Sequence, residues 1–226
     1  VPLVIRAAIG RSWGQGAQHS QALQSFFMHI PGLKVIAPTT PHDVKGGLIA
    51  SIRDNNPVIF IEHRMLYKNA GYVPSDTYEI KFGKGRVLRE GNDITIVGVS
   101  HSVEDSLRAA DLLKGVGVNA EVIDPISLSP IDNEIIRDSV NKTKKLLVVD
   151  NGWMKCGFSA EIIADVATNC ESILCQRLGF PETPCPTTPS LEKLPTDKFK
   201  KIAAYEIDAL ELERFHLEDE IRNYKL

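Results

Sequence analysis

Short apolar runs alternate along the chain with segments whose apolar residues recur every three or four positions. Near the start, the runs at residues 3–8, 33–37 and 58–61 predict three buried strands. Residues 20–29 carry apolar side chains at helical spacing, and a second helix is predicted to begin at Thr40, whose hydroxyl can cap it. The order strand, helix, strand, helix, strand is typical of a parallel sheet.

The same alternation resumes at residue 94. Each predicted strand here is apolar along its whole length, so both faces of its sheet should be covered by helices. The predicted strands are residues 94–99, 120–125, 145–150 and 173–178, and the predicted helices are residues 102–114, 131–141 and 158–167. The expected fold class is therefore α/β, with two three-layer α/β/α domains.

The segment between these two units is rich in glycine and has little periodicity, which is typical of a linker. We expect this linker to end in an edge hairpin at residues 83–89. Because the chain opens directly on a buried strand, we expect its first domain to be the second half of a larger one, whether Val1 is a trimmed or a natural start. The expected organisation is residues 1–66 for this half domain, 67–92 for the linker, 93–204 for the second domain and 205–226 for a helical tail with a solvated acidic face.

The charge balance excludes one broad class of function. The net charge is −3, and no basic surface for nucleic acid is indicated. At 226 residues, with 43% hydrophobic and 24% charged residues, the composition is that of a globular protein. No apolar run has the length of a membrane span and no signal peptide is recognisable, so the expected compartment is the cytoplasm.

The cysteines do not suggest a metal or disulfide framework. None of the four forms a C-x-x-C pair, and no histidines cluster beside them. We expect reduced thiols in a reducing compartment. They are Cys156, Cys170, Cys175 and Cys185.

Residues 10–21 (GRSWGQGAQHSQ) carry the most specific pattern in the chain. Gly14 and Gly16 let the backbone turn sharply and approach a ligand. His19 follows, predicted at the start of a helix, and its imidazole can exchange a proton near neutral pH. His19 is therefore the candidate catalytic residue, with a capping or surface histidine as the alternative. A phosphate loop is rejected, because the segment lacks both the G-x-G-x-x-G spacing and the Lys-Ser/Thr pair.

Other polar residues have two open interpretations each. Residues 62–64 (EHR) follow the last strand of the first unit, where ligands often bind in parallel sheets, or they form an ordinary charged loop. Arg11 and Trp13 either contact a partner or substrate or pack within their loop. His101 and Trp153 are interpreted mainly as interface or core residues.

Several motifs resemble those of a known family when taken together and in order. They resemble the beta subunit of thiamine-diphosphate-dependent 2-oxoacid dehydrogenases, the E1 component. The resemblance extends over residues 1–204. The motifs are residues 16–21 (GAQHSQ), 30–35 (IPGLKV), 54–58 (DNNPV), 123–130 (IDPISLSP), 149–153 (VDNGW) and 184–187 (PCPT).

The resemblance implies a partial transketolase pyrimidine-binding domain followed by a complete transketolase C-terminal domain. It implies oxidative decarboxylation of a 2-oxo acid, with acyl transfer to the lipoyl arm of an acyltransferase. It also implies an α2β2 assembly with an E1 alpha subunit, self-association through the C-terminal domain, and a cytoplasmic or organelle-matrix location. Thiamine diphosphate and Mg²⁺ would be held mainly by the alpha subunit, because no GDG motif is present here.

The resemblance also implies roles for particular residues. His19 would lie near the reactive carbon of the cofactor and place the substrate or the lipoyl arm. The family's glutamate for the aminopyrimidine ring falls upstream of Val1, so this chain alone is expected to be inactive. A monovalent cation such as K⁺ is implied at Leu3, Val4, Ser51, Asp54 and Asn56, mostly through backbone oxygens. Turn formation explains the Asp54 segment equally well without an ion.

Two other functions stay open from the sequence. One is two-carbon transfer of the transketolase type, for which only scattered arginines and lysines are available as a sugar-phosphate site. The other is a non-catalytic, truncated fragment that dimerises. The sequence leaves open which 2-oxo acid would be used, since pyruvate and branched-chain enzymes share these motifs.

Overall fold

Two mixed β-sheets with flanking helices form the computed structural model, which describes residues 1–11, 14–180 and 182–188. The predicted α/β class is confirmed. The strands are β1 (Val4–Ile9), β2 (Lys34–Ile36), β3 (Val58–His63), β4 (Arg86–Arg89), β5 (Ile94–Gly98), β6 (Ala120–Asp124), β7 (Ser127–Ser129), β8 (Lys145–Trp153) and β9 (Leu174–Phe180). The helices are α1 (Gly16–His19), α2 (Gln24–Met28), α3 (Pro41–Arg53), α4 (His101–Gly115), α5 (Asn133–Thr143) and α6 (Phe158–Asn169), with a 3₁₀ helix at Arg64–Lys68.

The first sheet has the strand order β1-β3-β2-β7. Its first three strands are parallel, with Val4 opposite Val58 and Val35 opposite Ile59. The helix α3 begins as predicted, because the Thr40 hydroxyl accepts a hydrogen bond from the Asp43 backbone N–H at 3.2 Å. This topology sends the carboxyl ends of β1, β2 and β3 to one edge, where ligand sites form in parallel sheets.

The strand β7 was not predicted. It follows β6 in the chain but pairs antiparallel with β2, with Val35 opposite Ser129. Three residues are too few to show a two-residue periodicity, so no local signal distinguishes this strand from a loop. Its place in the first sheet means that residues from the second half of the chain complete that sheet.

The second sheet has the order β4-β6-β5-β8-β9 and is parallel except for β4, which lies antiparallel at one edge. The predicted hairpin at residues 83–89 is therefore wrong, since β4 pairs with β6 rather than with a neighbour in sequence. Gly85 permits this pairing because a side chain there would lie 3.1 Å from the Asp124 carbonyl oxygen.

The helix predicted at residues 20–29 is shorter than expected. Within that range only α2 (Gln24–Met28) is helical, and residues 20–23 connect it to the end of α1 at His19. The predicted helical tail at residues 205–226 lies outside the described residues, as does the end of the second predicted domain.

The two sheets share one hydrophobic core cluster. Val35 and Ile61 of the first sheet belong to it, and so do Val97, Ile123 and Val148 of the second. A core with members from both sheets fixes their mutual position by close packing. In the part of the chain that the structure covers, no helix is long and apolar enough to cross a membrane.

Polar contacts also join the two halves. The Gln24 side-chain amide donates to an Asp150 carboxylate oxygen at 2.7 Å, and both residues are fully buried. The Phe158 backbone N–H donates to the Ser25 hydroxyl at 3.1 Å. The helix α2 is thereby attached to β8 and to the start of α6.

Candidate active site at the loop after the first strand

The loop after β1 turns on a glycine that no other residue could replace without rearrangement. Gly10 has a φ of +84°, in the left-handed region. A Cβ atom at this position would lie 2.1 Å from Nε2 of His63. The backbone of the loop therefore rests directly on the His63 ring.

His63 is itself held in place at the end of β3. Its side chain is buried, and its Nδ1 accepts a hydrogen bond from the Met65 backbone N–H at 3.2 Å. Its ring stacks on that of His101 with 5.0 Å between the centroids and 17° between the planes. His63 is the last residue of β3, and His101 is the first residue of α4, which follows β5. The stack therefore lies where the carboxyl ends of both sheets meet.

His19 is the last residue of α1 and is exposed. The structure corrects the expectation that it starts a helix: α1 precedes it and ends at it. Its backbone carbonyl accepts a hydrogen bond from Arg64 at 2.6 Å. The imidazole therefore lies on the surface at the carboxyl edge of the first sheet, and the Arg64 side chain holds the backbone of His19 in place.

A second loop, residues 182–188, lies against the start of α1. A Cβ atom on Gly16 would lie 3.1 Å from the Thr187 hydroxyl oxygen. The Arg11 guanidinium lies 3.6 Å from the centroid of the Phe180 ring, a cation–π contact that joins the first loop to the end of β9. Trp13, the other residue proposed for a partner contact, lies outside the described residues.

The chain is similar in sequence and in fold to known proteins. Residues 83–196 match the family model of the transketolase C-terminal domain, and residues 1–69 match that of the transketolase pyrimidine binding domain. The chain belongs to the transketolase family. Among solved structures, it superposes on one titled "Split gene transketolase, inactive beta4 tetramer" with a TM-score of 0.77 and 23% identity, over 93% of this chain and 67% of that one. This structural similarity supports the assignment of the fold.

The curated relatives of this transketolase-family chain carry the names that the motifs suggested. This chain is 43% identical over 206 residues to the beta subunit of acetoin:2,6-dichlorophenolindophenol oxidoreductase from Cupriavidus necator. The aligned region covers 90% of this chain and 61% of that protein. The chain is also 43% identical over 209 residues to the mitochondrial pyruvate dehydrogenase E1 component subunit beta from Caenorhabditis elegans, with 87% and 58% covered. The predicted resemblance to E1 beta subunits is confirmed, and the chain spans about 60% of the length of these relatives.

Sequence reasoning missed two buried polar residues behind the loop, Gln24 and Asp150. The Asp150 oxygen that accepts from Gln24 also accepts from the Gly152 backbone N–H at 3.1 Å. The Gln24 side-chain oxygen has no hydrogen-bond partner among the described residues. Gln24 gave no signal because a glutamine within a short amphipathic segment is normally exposed. Its burial places the polar contact directly beneath the region that carries His19.

Three residues proposed for a monovalent cation lie together at the end of α3. Ser51 donates through its hydroxyl to the Gly47 carbonyl at 2.6 Å, and an Asp54 carboxylate oxygen accepts from the Asn56 N–H at 2.8 Å. The Lys34 ammonium pairs with the other Asp54 oxygen. Burial raises the pKa of Asp54, but the hydrogen bonds from Lys34 and Asn56 outweigh it and hold the pKa below its usual value.

The remaining two residues of this set come close through the sheet. The Leu3 carbonyl accepts from the Val58 backbone N–H at 2.8 Å, and Val4 pairs with Val58 in the ladder. The two groups therefore both lie near the amino-terminal edge of the first sheet, at the opposite end from His19. Whether they bind an ion stays a prediction.

No cluster of three or more His, Cys, Asp or Glu side chains suited to a metal ion occurs within residues 1–11, 14–180 and 182–188. The four cysteines are free thiols.

Proposed function

We propose that this chain is the beta-type portion of a thiamine-diphosphate-dependent 2-oxoacid dehydrogenase, the E1 component, and acts with an alpha-type partner. The reaction would be the oxidative decarboxylation of a 2-oxo acid, with transfer of the acyl group to a lipoyl arm of an acyltransferase. The observation that carries the proposal is the exposed His19 at the carboxyl edge of a sheet of the pyrimidine-binding type.

The chemistry divides between cofactor and protein. Thiamine diphosphate would supply the activated carbon that attacks the 2-oxo group. His19 would orient the incoming substrate or lipoyl arm and would give or accept a proton, because an imidazole exchanges protons near neutral pH. Its exposure supports this role, since a substrate on a long arm must reach it from outside.

The cofactor and its partners follow from the same proposal. The sequence has no GDG motif of the kind that holds Mg²⁺ and the diphosphate in this family, which supports leaving both to an alpha-type subunit. The relatives are named as beta subunits, which supports such a partner. We further propose self-association through the C-terminal domain, and a location in the cytoplasm or in an organelle matrix.

A structural cation is a separate part of the proposal. The carbonyl oxygens of the five residues at the amino-terminal edge of the first sheet would hold K⁺, a hard cation that prefers oxygen ligands. These residues are Leu3, Val4, Ser51, Asp54 and Asn56. Their placement near one edge of the sheet supports the site, whereas Lys34 already neutralises the Asp54 carboxylate.

The substrate would be a small 2-oxo acid or a related compound. The names of the relatives favour pyruvate and acetoin as the first compounds to test. Branched-chain 2-oxo acids come next. No feature of the described surface favours two-carbon transfer between sugars.

The experiment compares wild type with His19→Gln, each assembled with the alpha-type subunit from the same organism. Reduction of 2,6-dichlorophenolindophenol is followed with pyruvate, acetoin or a branched-chain 2-oxo acid in the presence of thiamine diphosphate and Mg²⁺. We expect His19→Gln to lower kcat by about 100-fold or more, which is typical of the loss of a proton-transferring group.

His29→Gln is the matched control, because His29 is also exposed and lies outside the loop. It should keep wild-type activity. Full activity in His19→Gln would refute the role of His19. A wild-type assembly that is inactive with every substrate would refute the enzymatic proposal and favour the non-catalytic fragment.

A further inference from the structure

Arg64 bridges the two ends of the loop that carries His19. One guanidinium nitrogen donates to the Gly10 carbonyl at 2.8 Å and to the His19 carbonyl at 2.6 Å. Gly10 is the first residue after β1, and His19 is the last residue of α1. A single side chain thus connects the start of the loop to the residue proposed for catalysis.

The Gly10 end of this bridge is held by two further contacts. Its N–H donates to the Gln21 carbonyl at 3.4 Å, and its Cα lies against the buried ring of His63. Arg64 follows directly after His63 at the end of β3, which lies between β1 and β2 in the sheet. Arg64 therefore follows an interior strand of the first sheet and connects the loop to it.

The His19 end of the bridge needs such support. The helix α1 has only four residues, and a helix this short has little stability of its own. No side chain caps its N-terminus. The carbonyl groups of its last turn lack partners within the helix. A cationic donor at this end satisfies one of them and interacts favourably with the helix dipole.

We propose that Arg64 is a positioning residue for His19: it holds α1 in the orientation that points the imidazole toward the substrate. This inference rests on the proposed function of His19. The guanidinium acts on the backbone carbonyl of His19, so Arg64 fixes where the imidazole lies without supplying a proton itself.

The consequence is a distinctive kinetic signature. Loss of the bridge should lower kcat, because a reacting group displaced by about 1 Å can cost on the order of 100-fold in rate. The KM for the 2-oxo acid should change little, since both hydrogen bonds of Arg64 go to backbone carbonyls of the loop.

The test uses Arg64→Met and Arg64→Lys in the assembled enzyme, with Arg108→Met as the matched control. Arg108 is an exposed arginine of α4, in the other half of the molecule. Kinetics are measured with whichever of pyruvate or acetoin supports turnover. Hydrogen–deuterium exchange is measured on peptides that cover residues 10–22 and, for comparison, β5 and β8.

We expect Arg64→Met to lower kcat by about 10- to 100-fold, with KM within about threefold, and to speed exchange in residues 10–22 alone. Arg64→Lys should recover most of the activity and the protection, because an ammonium group has three donors and both bonds come from one nitrogen. Arg108→Met should match wild type.

Three outcomes would overturn the inference. The first is unchanged exchange in residues 10–22 of Arg64→Met. The second is wild-type kcat despite faster exchange there. The third is faster exchange throughout β5 and β8 as well, which would make Arg64 a general stability residue. If His19→Gln is active while Arg64→Met still frees the loop, the role of His19 fails but the bridge itself is confirmed.

Discussion

At the scale of single residues, the course of the loop depends on a glycine and the ring beneath it. The glycine-rich sequence indicates sharp turns between residues 10 and 16, and the structure has positive φ angles at Gly10, Gly14 and Gly16. Only the structure shows that Gly10 touches His63, a residue from another strand. This contact, rather than backbone freedom alone, makes the position intolerant of a side chain.

Gly10→Ala should therefore destabilise the protein by more than backbone strain explains. The left-handed conformation costs an alanine about 1–2 kcal/mol, and overpacking against the His63 ring adds about 1–3 kcal/mol. The free energy of unfolding is measured by urea denaturation. Gly32→Ala is the control, because Gly32 has a φ of +82° with open space around it, and it should show only the backbone strain. Equal losses in both variants would contradict the steric argument.

At the scale of secondary-structure elements, strong local signals were reliable and short elements were not. The cap at Thr40 and the proline after it predicted the start of α3 correctly, because a cap is a contact within one turn. The strand β7 and the division between α1 and α2 depend on partners far along the chain. The hydrophobic pattern of residues 20–29 indicated a ten-residue helix, whereas only residues 24–28 are helical.

Thr40→Val should lower the free energy of unfolding by about 1 kcal/mol, the usual cost of losing an N-cap hydroxyl. The hydroxyl accepts from the Asp43 N–H and donates to the Asp43 carboxylate at 2.6 Å. Thr40→Ser keeps the hydroxyl and should stay within about 0.5 kcal/mol of wild type. Urea denaturation of the three proteins tests this, and a serine variant as unstable as the valine variant would count against the cap.

At the scale of the whole molecule, a buried charged cluster joins the two halves. Arg86 of β4 forms an ion pair with Asp43 of α3 and lies 4.0 Å from an Asp124 oxygen. Both carboxylates are almost fully buried. Burial raises the pKa of Asp124 to about 7, despite hydrogen bonds from Ile126 and Thr39 and the charge of Arg86, which lower it.

The stability of the protein should consequently fall as the pH rises toward 7. Between about pH 4 and pH 7 the folded state keeps the Asp124 proton and the unfolded state loses it, so this group lowers stability by up to about 1.4 kcal/mol per pH unit. Above pH 7 the contribution levels off. The Asp124→Asn variant lacks this titration. Its free energy of unfolding, relative to that of wild type, should therefore increase from pH 5 to pH 8.

Urea denaturation at pH 5, 6, 7 and 8 measures this difference. Asp111→Asn is the control, since Asp111 is an exposed carboxylate paired with Arg89. Its difference from wild type should be nearly independent of pH, because an exposed ion pair contributes little. A constant difference between Asp124→Asn and wild type would show that Asp124 is already ionised at pH 5.

The sequence by itself determined the α/β class, the start of α3, the family resemblance and the choice of His19, because periodicity, caps and motifs are carried by residues close in the chain. Only the tertiary structure decided which residues support the site. Arg64 is 45 positions from His19, Gln24 is 126 from Asp150, and Arg86 is 43 from Asp43. Contacts at such separations arise from the packing of the two sheets, which no local pattern encodes.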